Sequence, residues 1–157
     1  MTAVSGTVPP PAQGSAGRGN FVVLRAGTLR LLLPHADVAA AEHIGEAPLG
    51  VAQAGIFELE VRGERRAVVA LSEQLRPLER FPAGRFVLAR LHGGEASFAW
   101  DEVRVLIDAA VEARPLPPAM RGAGSPIDGY VQLGEELLLC ATAPRVLAYA
   151  AGAGDLT

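Results

Sequence analysis

Gly55-Ile-Phe-Glu-Leu-Glu-Val-Arg-Gly-Glu-Arg-Arg-Ala-Val-Val-Ala-Leu71 sets two apolar runs on either side of Arg62-Gly63-Glu64. Ile56, Phe57, Leu59 and Val61 supply one arm, and Ala67, Val68, Val69 and Leu71 the other. A glycine at the tight position between two such runs is the sequence form of a β-hairpin. The stretch holds no cluster of acid, base and nucleophile of the kind catalysis needs. The same plan returns in Gly129-Tyr-Val-Gln-Leu-Gly-Glu-Glu-Leu-Leu-Leu-Cys-Ala141. A chain built twice over this hairpin points to a scaffold rather than an enzyme.

Composition agrees with a small β core. The chain has 157 residues, half of them hydrophobic, which is enough to bury a core as one domain or two small subdomains. A mean hydropathy of +0.26 excludes a wholly disordered protein. Aromatic residues make up only 5%, so Val, Leu, Ile and Ala must fill the interior, which suits many short strands. The net charge of −3 gives no general attraction to nucleic acid or anionic lipid. All 14 basic residues are arginine, so lysine Schiff bases and the lysine of a phosphate-binding Walker loop are excluded.

Outward from the central hairpin, residues 1–20 read as a flexible tail rich in Pro, Gly and small side chains, without the apolar segment of a signal peptide. Phe21-Val-Val-Leu-Arg25 reads as a first strand, Ala26-Gly27-Thr28 as its turn and Leu29–Leu33 as its return, stopped by Pro34. Three alanines predict a short helix or turn over 35–42. Residues 44–54 read as a loop, and Ser72 as the cap of a short helix through Leu75. Arg76–Gly84, with Pro77 and Pro82, divides the chain into halves at about 21–76 and 85–150. The second half echoes the first: Phe86-Val-Leu-Ala-Arg90, the turn His92-Gly93-Gly94, a return through Ala96–Trp100 and an apolar run over Val103–Val111. Arg114-Pro-Leu-Pro-Pro118 and Arg121–Pro126 read as an extended connection. A closing helix spans about Thr142–Ala150, with Pro144 in its first turn, and 151–157 reads as a C-terminal tail. Two small antiparallel barrels with short flanking helices follow, the strand edges managed by closure.

Other residues have plain readings. His35 and His43 lie eight positions apart with Asp37 and Glu42 nearby, but two ligands without a third do not make a metal site. Cys140 ends the apolar run Leu137-Leu-Leu and reads as a small buried hydrophobe, with no neighbouring base to activate it. Gly-Ala-Gly-Ser at 122–125 precedes a proline and a strand rather than a helix, so it is a loop and not a phosphate cradle. Trp100 reads as a core or junction residue. Neither a catalytic residue nor a cofactor is expected, and the chain reads as soluble and cytoplasmic.

The ordered series of motifs over roughly 20–150 resembles the CheW-like domain, the coupling module of bacterial chemosensory arrays. Phe21-Val-Val-Leu is similar to its first strand, Val38 falls at its valine position, and Gly55-Ile56 at its Gly-Val. Arg62-Gly63 matches its Arg-Gly, and Val68-Val-Ala-Leu71 its strand end. Trp100-Asp-Glu-Val103 is similar to its Val-Asp-x-Val, and Ile127-Asp-Gly-Tyr-Val-Gln-Leu133 to its second hairpin. Glu60-Val61 stands in place of Asn-Leu, Ala67 in place of proline and Ala70 in place of aspartate, as in a divergent member. The resemblance implies a mainly β fold of two SH3-like barrels and an adaptor without catalytic activity. Its implied partners are chemoreceptor cytoplasmic tips and the regulatory domain of a CheA-type histidine kinase, in chemotaxis or pilus-based motility. Val38, Gly55, Arg62 and Gly63 are the implied partner-binding positions. A β-barrel that binds a small apolar ligand is the alternative reading of the same strands.

Overall fold

A computed structural model of the protein describes residues 15–44, 50–53, 55–120 and 125–155. The strands are β1 (Ser15–Ala26), β2 (Leu29–Pro34), β3 (Val38–His43), β4 (Gly50–Gln53), β5 (Ile56–Val61), β6 (Glu64–Ala70), β7 (Val87–Leu91), β8 (Ser97–Trp100), β9 (Glu102–Pro115), β10 (Gly129–Leu133) and β11 (Glu136–Cys140). One helix, α1 (Ala143–Asp155), closes the described chain. The mainly β architecture has two units: a closed five-stranded barrel in the order β1-β2-β11-β10-β9, and a six-stranded sheet in the order β3-β7-β8-β6-β5-β4.

The division into sequence halves does not correspond to these units. The six-stranded sheet takes the contiguous strands β3–β8, whereas the barrel joins β1 and β2 to β9–β11. Both predicted hairpins form, as β5–β6 and β10–β11, but they lie in different units. The purely antiparallel plan also fails at two places, because β2 pairs with β11 and β6 with β8 in parallel. Each parallel pair marks a point where strands distant in the chain meet side by side.

The main core lies between the two units. Val22, Leu24, Leu31 and Leu33 leave the barrel on this side, and Val69, Leu71, Ala89, Leu91, Phe98 and Trp100 meet them from the sheet. Trp100 is fully buried at this junction, and Val146 of α1 packs into the same cluster. A second cluster under the sheet joins Ile44, Leu59, Val61, Val68, Leu88 and Ala99. A third fills the barrel with Val23, Leu32, Val131 and Leu138.

Tertiary packing overrides several local readings. Residues 15–20 belong to β1 and pair along β9; residues 1–14 lie outside the described part. The helix expected over 35–42 is a single 3-10 turn, His35–Asp37, followed by β3, because pairing with β7 outweighs the helix preference of the alanines. His35 and His43 therefore share no helix face. The segment after Leu71 is a turn: the Ser72 hydroxyl accepts bonds from the Gln74 and Arg76 amides at 3.2 and 3.3 Å, and Leu75 takes a φ of +62°. Leu75 is buried in the main core, which favours that backbone. The region read as a loop over 44–54 contains β4, and α1 continues to Asp155, through most of the expected tail. The loop residues 121–124, with Gly122–Gly124 of the Gly-Ala-Gly-Ser run, lie outside the described residues.

Carboxylates fasten the two units at their seam. Asp101, where the chain passes from β8 to β9, accepts the Gly27 amide at 2.6 Å and ion-pairs with Arg85 at 3.5 Å. Arg85 is buried and also donates to the Leu71 carbonyl at 2.8 Å. Burial lowers its guanidinium from the ordinary value, while Asp101 opposes that shift. Asp37 accepts the Ala143 amide at 2.9 Å, so α1 is tied to the start of the sheet. Glu73 accepts both the amide and the hydroxyl of Thr28 at 2.6 Å.

Two predictions follow from this packing. The Thr28 hydroxyl and amide bonds hold the Glu73 carboxyl below its ordinary value of 4.5. Its contribution to stability is therefore complete above that unfolded-state value and is lost as the pH falls through the lower folded-state value. Thermal melts of Glu73→Ala will show a shallower loss of stability between pH 5 and pH 3 than the unaltered protein. Separately, a Cβ at Gly129 would lie 2.6 Å from the Arg114 carbonyl oxygen on β9. Gly129→Ala will thus splay β10 from β9 and lower the denaturant midpoint, by a free energy on the order of 1–3 kcal/mol for an overpacked site.

Candidate interaction surface

The four positions implied by the resemblance fall into two structural classes. Val38 begins β3 opposite Leu91 and packs, half-buried, against the main core. Gly55 is buried between β4 and β5 with a φ of +80°, and a Cβ there would come 3.1 Å from Pro77. It shapes the entry into the hairpin. Arg62 and Gly63 form the two-residue turn between β5 and β6, with φ of 52° and 81°. Two successive positive φ values give the hairpin turn whose twist matches its strands, and arginine at the first position carries the strain that glycine avoids. Arg62 is 81% exposed. The structure does not gather the four side chains into one patch.

Glu42 on β3 links this turn to the far edge of the sheet. Its carboxylate bonds to Arg66 on β6 and lies 3.9 Å from Arg62. Its side chain is only 18% exposed, so two guanidinium groups face a half-buried acid. Val38 and Glu42 face opposite sides of β3: the first meets Leu91 of the main core, the second Leu88 of the cluster under the sheet. Arg66 shares its face of β6 with Val68 of that same cluster. The three charges therefore cap one end of the apolar interior of the sheet and hold the β5–β6 tip toward β3.

The barrel has a matching arrangement. Glu136 on β11 accepts a bond from Arg104 on β9 at 2.7 Å and pairs with Arg30 on β2 at 3.2 Å. Alternation puts Arg30 with Leu32, Arg104 with Leu106 and Glu136 with Leu138, all on the inward side. The Arg104 hydrogen bond holds the Glu136 carboxyl below its ordinary value, with burial acting the other way. One acid between two arginines thus covers an apolar cluster in each unit.

Around these caps the surface is apolar in places. Phe86, Val105, Ile107, Met120 and Leu137 are large hydrophobic residues left exposed. Such side chains with a charged surround are the ordinary material of protein interfaces. Burial, with Asp128 nearby, pushes the Cys140 thiol up to about 11, so it stays protonated near neutral pH. Among the described residues no group of three His, Cys, Asp or Glu is placed to hold a metal ion. Nor is any described helix long and apolar enough to cross a membrane.

Sequence reasoning picked out Arg62 but missed Glu42 and Arg66. The signal present was alternation: in Leu59–Val61 and Arg66–Val68 the inward positions run apolar except for Arg66, and an inward arginine requires an acid. Glu42 was concealed behind three alanines that read as helix.

No family model matches the chain, and no curated protein matches its sequence. Among solved structures, the fold is similar to the crystal structure of the scaffolding protein TtCheW from Thermoanaerobacter tengcongensis. The two share a TM-score of 0.55 and 15% identity over 80% of this chain and 90% of that one. The chain has a divergent CheW-like fold.

Replacing the two partners of the Glu42–Arg62 contact will have unequal effects. Arg62→Ala will change stability by at most about 0.5 kcal/mol, since an exposed ion pair contributes little. Glu42→Ala leaves Arg66 above an apolar cluster without its acid and will cost about 1–3 kcal/mol. Urea denaturation of both variants measures the difference.

Proposed function

We propose that this protein is a CheW-like adaptor that couples chemoreceptors to a CheA-type histidine kinase in a bacterial chemosensory pathway, serving chemotaxis or pilus-based motility. The reading is supported by one observation above the rest. On a CheW-like two-unit fold, the arginine at the tip of the β5–β6 hairpin is exposed and is steadied from β3 by Glu42. An exposed guanidinium in that setting is suited to a carboxylate on a receptor tip, by one or two charge-assisted bonds. Val38 and Gly55 serve this contact through the backbone they shape. The regulatory domain of the kinase takes exposed apolar surface, with Phe86, the residue just before β7, as a candidate anchor. Such an adaptor works in the cytoplasm and acts without chemistry of its own, by favouring one arrangement of the kinase over another.

The ligand-binding barrel is the weaker reading, because Val23, Leu32, Val131 and Leu138 fill the barrel interior.

Mixed with the regulatory domain of a CheA-type kinase at tens of micromolar, a range typical of signalling contacts, the protein will co-elute with it on sizing. Arg62→Glu will leave that complex intact while weakening binding to a receptor-tip fragment by about tenfold or more, the equivalent of one charge-assisted bond. Absence of a kinase complex from the unaltered protein defeats the adaptor reading. Equal loss of both partners in Arg62→Glu defeats the assignment of Arg62 to the receptor.

A further inference from the structure

We draw no further inference here: the strongest candidate, the exposed apolar patch of Val105 and Ile107 on the outward face of β9, is an unpartnered sheet face, and nothing in the structure shows what covers it.

Discussion

The fold depends on the β1–β2 hairpin being buried on both faces. Val22, Leu24, Leu31 and Leu33 point to the junction, while Val23 and Leu32 point into the barrel. Strands used on both sides must be apolar without alternation, and Phe21-Val-Val-Leu and Leu31-Leu-Leu are such runs. Two of the three apolar clusters, the junction and the barrel interior, draw on this one pair of strands. Removing a buried leucine here therefore loosens the barrel and the junction together, at the roughly 2–5 kcal/mol of a large-to-small core change.

Around that apolar framework, acids do the fastening. Asp101, Glu73 and Asp37 each receive backbone amides from the opposite unit or from α1. Glu42 and Glu136 each stand between two arginines above a cluster. The bonds to peptide N–H groups have fixed geometry and set the relative position of the units. The arginine caps close the ends of interiors that small aliphatic side chains alone do not cover. An arginine stem lies along apolar surface while its head remains wet, which suits a chain without lysine.

Much of this was legible in the residues. The two glycine-centred hairpins and the buried place of Trp100 could be read directly, because each rests on a local pattern. The likeness to CheW came from the order of weak motifs, and the fold has it at 15% identity. What could not be read was pairing between distant strands. Sequence echoes suggested halves, but β9 is long enough to return to β1, and that return joins the chain's first and last strands in one barrel. The alanines of β3 read as helix because propensity is local, whereas the edge they complete belongs to β7. Of the candidate site, Arg62 was visible as a turn residue. Its acid was not, since Glu42 and Arg62 meet only after the sheet has curled.

That interleaving has a consequence for synthesis on the ribosome. The six-stranded sheet is continuous in the chain from Val38 to Trp100, so all its strands can pair as soon as they emerge. β1 and β2 emerge earlier still, yet their barrel partners begin only at Glu102. In the interval the hairpin's inward valine and leucine have no interior to enter. Closing the barrel is the late step of folding, bringing together segments separated by nearly the length of the described chain, and such non-local closure is slow. The nascent protein therefore has a window in which its most apolar hairpin is half covered, and that window is where a holdase chaperone would act.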